Sequence, residues 1–326
     1  MLEIVNDHYA LVHRYYKLKA KMLGYKLKDY DRYAPLDTKE NPVTYQEALN
    51  QVLKAYRNFS PKFANIIENG IAHGWVDSHP RSGKQGGAFS ASTVPSAHPF
   101  VLLNFTNNRR SVFTIAHEFG HMIHQELSKE VGYFNTNTPL TTSETASVFG
   151  EMLLFESLKQ NLDKKELKDI YAGKLEDMFS TMFRQVVMTN FERRIHATQE
   201  ELKAQDFDAM WQEENAKMFG KSVKLTKNYA RWWSYIPHFI HSPFYCYAYS
   251  YGQLLVLALF GLYRQQQTPA DRKAFVETYT NFLSKGGSQS PEELVGMFGL
   301  DIQDKEFWKI GMGEVEKMLG EFEALL

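Results

Sequence analysis

The sequence predicts a mostly α-helical domain with one small β-sheet. Apolar residues recur at three- and four-residue steps along nearly the whole chain, and only 11 prolines interrupt them. A single segment rich in Gly, Ser and Pro, residues 77–99, precedes a short β-prone run at 100–105. With 326 residues, 44% of them hydrophobic, the chain is long enough to bury a sizeable core and reads as globular.

From the N-terminus, the first predicted helix spans 2–23, has lysines in its last turn to suit the helix dipole, and stops at Gly24. A second helix is predicted over 44–57. The strand at 100–105 has a candidate partner in Gly86-Gly87-Ala88-Phe89-Ser90. Helices follow over 112–127, 142–158, 175–202 and 244–264, the last with Pro243 in its first turn. The tyrosines at 245, 247, 249 and 251 alternate as in a strand, but the apolar continuation from Leu254 favours a helix. There is no repeat and no low-complexity tract.

Charge and cysteine content narrow the function. Lys and Arg number 37 against 38 Asp and Glu, so no global positive field exists to grip a phosphate backbone, which argues against nucleic acid as a partner. One cysteine forms no intramolecular disulfide, and the opening residues carry charges where a signal peptide needs an apolar core, which places the chain in the cytoplasm. The longest strongly apolar run, residues 254–263, is about half the length a membrane-spanning helix needs, so no membrane partner is expected.

The informative string is His117-Glu-Phe-Gly-His121 inside a predicted helix. The two imidazoles lie four residues apart, leave one face a turn apart and can grip one Zn²⁺ per chain. Glu118 lies on the flank of that face, within reach of a metal-activated water without being a ligand. Val112, Ala116, Phe119 and Ile123 form a separate apolar stripe, so the histidines are not simply part of the core face. His124 is too far along the helix axis to complete a tetrahedron with His117 and reads as packing or support. The third ligand is read as Glu144, on a stretch otherwise apolar nearly all round, where a buried carboxylate needs a partner. The competing reading is a capping box, Thr141-Thr-Ser-Glu144, in which the glutamate merely closes a helix N-terminus. Glu151, two turns on, reads as a support for a ligand histidine.

These residues resemble the oligoendopeptidase F branch of the thimet-oligopeptidase-like zinc metallopeptidases, in the HExxH string and in Thr142-Ser-Glu144-Thr-Ala-Ser. The likeness continues in Arg32-Tyr-Ala-Pro-Leu36, in Gly83-Lys-Gln-Gly-Gly-Ala88 as an edge-strand segment, in residues 236–249 as a substrate-wall motif, and in Gly286-Gly-Ser-Gln-Ser-Pro291. The resemblance implies a zincin-like helical catalytic domain, here a single domain over 1–326. Its parts are an entry segment (1–75), edge strands with the zinc-site helices (76–160) and a substrate-wall region (161–326). Family members carry a long N-terminal region, and this chain starts near where that region ends. The implied activity is a zinc metalloendopeptidase acting on short unstructured peptides, with Glu118 as general base.

The resemblance further implies that His238 and Tyr249 approach the scissile peptide as donors to the developing oxyanion, with His241 and Tyr245 beside the substrate. Without it, an aromatic stripe packed in the core is the commoner fate of such tyrosines. Gly86, Gly87 and Ala88 are either a turn or an edge strand that an extended peptide joins by β-augmentation. Cys246 reads as a small buried hydrophobe. Two rival functions stay open: hydrolysis of another kind of amide, and a zinc-bearing peptide- or partner-binding fragment with little turnover.

Overall fold

The computed structural model describes residues 1–36 and 41–326. Helices α1 (Leu2–Asp7), α2 (Tyr9–Leu23), α3 (Tyr45–Phe59) and α4 (Pro61–Ala72) precede strands β1 (Val76–Asp77), β2 (Phe89–Ala91) and β3 (Phe100–Leu102). Then come α5 (Arg109–Leu127), α6 (Leu140–Ser143), α7 (Thr145–Lys159), α8 (Lys164–Met178), α9 (Arg184–Ala197) and α10 (Ala204–Phe219). The chain finishes with α11 (His238–His241), α12 (Tyr247–Gln265), α13 (Pro269–Ser284), α14 (Pro291–Gly296) and α15 (Lys305–Ala324). The mostly α architecture with one small sheet is as predicted. Among the described residues, no helix is long and apolar enough to cross a membrane.

Two compact units are distinguished: Met1–Thr38 with Leu167–Leu255 and Trp308–Leu326, and Lys39–Glu166 with Val256–Phe307. In the first, α2 ends as expected at Gly24, whose φ of 79° is open to glycine without strain. The predicted helix over 2–23 is interrupted at His8, whose Nδ1 bonds the Ile4 carbonyl at 2.6 Å. The predicted helix over 175–202 is instead α8, a π turn at Phe179–Phe183, and α9, which stops at Ala197. Ser250 Oγ donates to the Met182 carbonyl in that turn (2.8 Å), a bond that only the folded arrangement supplies. The core of this unit packs Met188, Phe191, Trp211, Tyr229, Ile236 and Cys246 together. Burial pushes the Cys246 thiol up to about 12, so it is an inert packing group.

The predicted start of a helix at 244 is also corrected. Phe244 sits at φ +59° and its N–H donates to Glu192 Oε1 at 2.8 Å, so the chain turns there and α12 begins only at Tyr247. Glu192 is itself buried, and the turn is held from inside.

In the second unit, Thr44 caps α3 through a reciprocal box with Glu47. The sheet order is β1-β3-β2, with β1 parallel and β2 antiparallel to β3. The strand predicted over 100–105 is three residues long, and of the partner predicted over 86–90 only Phe89 and Ser90 pair with it, joined by Ala91. Gly87 has φ +84°, which takes the chain out of extended geometry just before β2. Helices α5 and α7 form the centre of this unit: Val112, Ile115, Ala116, Phe119 and Ile123 of α5 are buried, as are Ala146, Phe149 and Met152 of α7. Phe149 meets the rings of Phe59, Phe260 and Tyr279 at 5.1, 5.4 and 4.4 Å, which anchors α7 on its outer face.

Candidate active site

The cap of α5 is Asn108, whose side chain accepts from the Ser111 N–H at 2.8 Å. From there the helix delivers His117 and His121 one turn apart, with their Nε2 atoms 3.2 Å from each other. The third side chain arrives from the junction of α6 and α7. Glu144 is the residue between these helices, and its Oε2 lies 3.2 Å from His117 Nε2 and 3.4 Å from His121 Nε2. It makes no side-chain cap bond, so the capping-box reading does not hold; its carboxylate turns to the histidines and accepts from Ser147 Oγ at 2.7 Å.

The three donor atoms thus form a nearly equilateral triangle. A tetrahedral zinc with bonds of about 2.0–2.1 Å requires donors about 3.3–3.4 Å apart, so the residues present fit this ion. The same three residues are the metal-competent group of the chain among the described residues. His117 Nδ1 lies 2.7 Å from Glu151 Oε1, which holds the ring with its Nε2 toward the triangle. Burial disfavours charge on His117, yet hydrogen bonds to Glu144 and Glu151 outweigh it and raise its pKa to about 10. Burial likewise opposes charge on Glu144, but its histidine contacts hold the carboxyl well below the usual range. The cluster is therefore built for positive charge at its centre, whether a proton or a cation.

Glu118 is the next residue along α5. It is only 6% exposed, and its Oε2 has no hydrogen-bond partner, a costly state that natural proteins keep mainly where a group must stay available. Burial raises its pKa above the ordinary carboxylate value. His124 is buried too, and burial together with the charge of His121 lowers it to about 3, so it stays a neutral packing residue.

A cavity of about 380 Å³ opens onto this cluster and is also lined by Ala88, Phe89 and Ser90. In β3 the Val101 N–H bonds Trp75, so Phe100 and Leu102 face β2, and Ser90 points its backbone to the free edge. Gln125 secures that edge on α5: it accepts from Ser90 Oγ at 2.7 Å and donates to the Ser90 carbonyl at 3.0 Å. Asn104 holds the preceding loop by donating to the carbonyls of Gln85 and Gly87. Gly86, Gly87 and Ala88 are thus the turn that leads into the edge strand, and of these Ala88 lines the metal-site cavity. Opposite, the loop bearing Thr136 and Thr138 is clamped by Gly287, whose N–H donates to Asn135 (2.7 Å) and where a Cβ would come within 2.3 Å of the Asn137 carbonyl.

Gln125, Asn104 and Gly287 were not identified as functional from sequence. The available signals were Gln125 at one turn beyond His121 and the glycine pair at 286–287.

The other predicted residues assemble within the first unit. His238 Nε2 lies 3.1 Å from Tyr249 Oη, the His238 and Tyr245 rings stack at 5.9 Å, and Tyr245 meets Tyr249 edge-on at 5.0 Å. His241, exposed at the end of α11, makes no side-chain hydrogen bond or ring contact among the described residues. Tyr247 is exposed, and Tyr251 packs on Trp308 at 4.9 Å, so neither joins the trio.

The chain is 33% identical over 333 residues to oligopeptidase PepF of Bacillus subtilis, covering 100% of this chain and 49% of that protein. It is 32% identical to an oligoendopeptidase F homolog of Borreliella burgdorferi, over 94% of this chain and 52% of that one. A crystal structure from Chlamydophila abortus superposes with a TM-score of 0.88 at 31% identity, over 100% of this chain and 55% of the other. The chain thus spans about half the length of these relatives. The sequence model of peptidase family M3 matches residues 1–314, nearly the whole chain, and with the HExxH helix and its glutamate partner in place the chain belongs to that family.

Proposed function

We propose that the chain is a zinc-dependent metalloendopeptidase that hydrolyses short, unstructured peptides in the cytoplasm, with one zinc ion per chain held by His117, His121 and Glu144. The observation that carries this reading is the triangle of donor atoms with the unpartnered carboxylate oxygen of Glu118 beside it. When bound, zinc supplies Lewis acidity, which makes a water more acidic and polarises a carbonyl.

The remaining work falls to the chain. Glu118, buried and with an unpartnered oxygen, takes a proton from the attacking water and returns it to the departing amine. Glu151 keeps His117 in one orientation and tautomer. His238 and Tyr249 act as hydrogen-bond donors to the developing oxyanion, and His241 and Tyr245 contact the substrate. The turn Gly86-Gly87-Ala88 and the free edge that follows it bind peptide backbone without demanding a particular side chain. Residues 1–326 serve as one catalytic domain in this reading.

The test is hydrolysis of a quenched fluorescent peptide by metal-loaded protein. Activity that disappears with a chelator and returns with zinc supports the proposal. Binding of peptides with no cleavage, in protein shown to contain zinc, replaces it with a peptide-binding role.

A further inference from the structure

A second cavity, of about 360 Å³, lies next to the first and shares Ala88 with it; Gly87, Asn104, Arg110, Ser111 and Thr114 complete the part that matters here. Arg110, Ser111 and Thr114 lie on α5 one to two turns before His117 and Glu118, so the two cavities follow one another along the same helix.

The polar groups of this second cavity are mostly satisfied internally. Thr106 and Ser111 pair their hydroxyls at 3.0 Å, and Asn104 spends its amide on Gln85 and Gly87. Arg109 is ion-paired with Glu166 at 3.2 Å. Arg110 differs: it is exposed, and its guanidinium has no hydrogen bond or ion pair among the described residues. No acidic residue lines the cavity. Nor does helix stability account for it, because a cation in the first turn of a helix faces the unfavourable end of the dipole.

We propose that Arg110 is a specificity residue that receives a carboxylate of the bound peptide, from an acidic side chain or from the peptide's C-terminus. The assignment rests on the peptidase reading for the identity of the ligand. Arg110 precedes His117 by seven residues, about 10 Å along the helix axis, which corresponds to about three residues of extended peptide. The carboxylate therefore belongs about three residues from the bond that is cut. Guanidinium suits this task because its planar donors match both carboxylate oxygens.

The experiment measures binding of fluorescent peptide twins to the whole chain in the presence of chelator, so that turnover plays no part. Each twin pair carries Glu or Gln at one position, scanned to either side of the central bond, and each peptide is made with a free and an amidated C-terminus. Wild-type protein is expected to bind one acidic twin about fivefold more tightly, with the difference shrinking as salt is raised. Arg110→Gln should remove the preference, and Arg110→Glu should reverse it in favour of a Lys twin. Loss of the preference on amidation assigns the terminal carboxylate; loss on Glu-to-Gln exchange assigns the side chain. Equal binding of every twin by wild type, or an undiminished preference in Arg110→Glu, overturns the assignment. If the preference is found but metal-loaded protein cleaves none of the peptides, the peptidase reading falls and the role of Arg110 stands.

Discussion

Gly120 of α5 lies so close to Ala146 of α7 that a Cβ at Gly120 would stand 2.4 Å from the Ala146 carbonyl oxygen. The second variable position of the HExxH string is thus a contact point between the two site helices. The same crossing is closed at Gly150, where a Cβ would overlap the Tyr56 hydroxyl, which itself donates to the Ala116 carbonyl at 2.7 Å. This close approach lets a residue of α7 and the one preceding it, Glu151 and Glu144, reach histidines of α5.

Replacing Gly120 by Ala should therefore separate the helices and weaken the metal site without touching a ligand. The expected result is a loss of about 1–3 kcal/mol of stability from overpacking, together with reduced zinc retention. Thermal unfolding and metal content of the purified variant check this. Normal values of both would mean that the helices can shift without disturbing the donors.

Glu144→Ala should reduce bound zinc from about one per chain to a small fraction, because a two-histidine site is left. Glu151→Gln should retain the ligands and lower zinc affinity by about 10–100-fold, since it alters only the support of His117. Competition with a chromogenic chelator separates the two. Full occupancy in Glu144→Ala would leave the third ligand to be found elsewhere.

Glu118→Gln should keep the fold and the zinc and lower peptide hydrolysis by about 10²–10⁴-fold, because only proton transfer is removed. The amide fills the same buried space, so a loss of turnover with unchanged Tm points to chemistry. Unchanged turnover would make the unpartnered oxygen of Glu118 a packing defect with no catalytic use.

Tyr249→Phe removes a hydroxyl that lies 3.1 Å from His238 Nε2. An oxyanion donor acts in the transition state, so kcat should fall about a hundredfold or more with little change in KM. Tyr247→Phe is the control, because Tyr247 is exposed on another side of the helix. Lower Tm with normal kcat in Tyr249→Phe would return Tyr249 to the aromatic core.

Local spacing alone determined the metal-site helix, because a four-residue step on an α-helix brings two imidazoles together whatever surrounds them. The glycine stop of α2 was readable for the same reason: it is a dihedral within a few residues. Glu144 was readable as a metal ligand, a carboxylate in need of a partner, with a capping box as the competing reading. The choice was made by the α5–α7 crossing at Gly120, a contact between residues 26 apart. The edge strand was predicted to begin three residues early because a strand is located by its partner: β3 pairs with Phe89–Ala91, and Gly87 at φ +84° ends extended geometry before it. The same applies to α12, whose start is moved to Tyr247 by the bond from Phe244 to the buried Glu192, 52 residues away. The isolation of Arg110 beside its ion-paired neighbour was likewise invisible, since two adjacent arginines look alike until the tertiary structure brings Glu166 to one of them. Short-range geometry is written in the chain, whereas burial, pairing register and the distribution of charge partners arise only when distant segments share one volume.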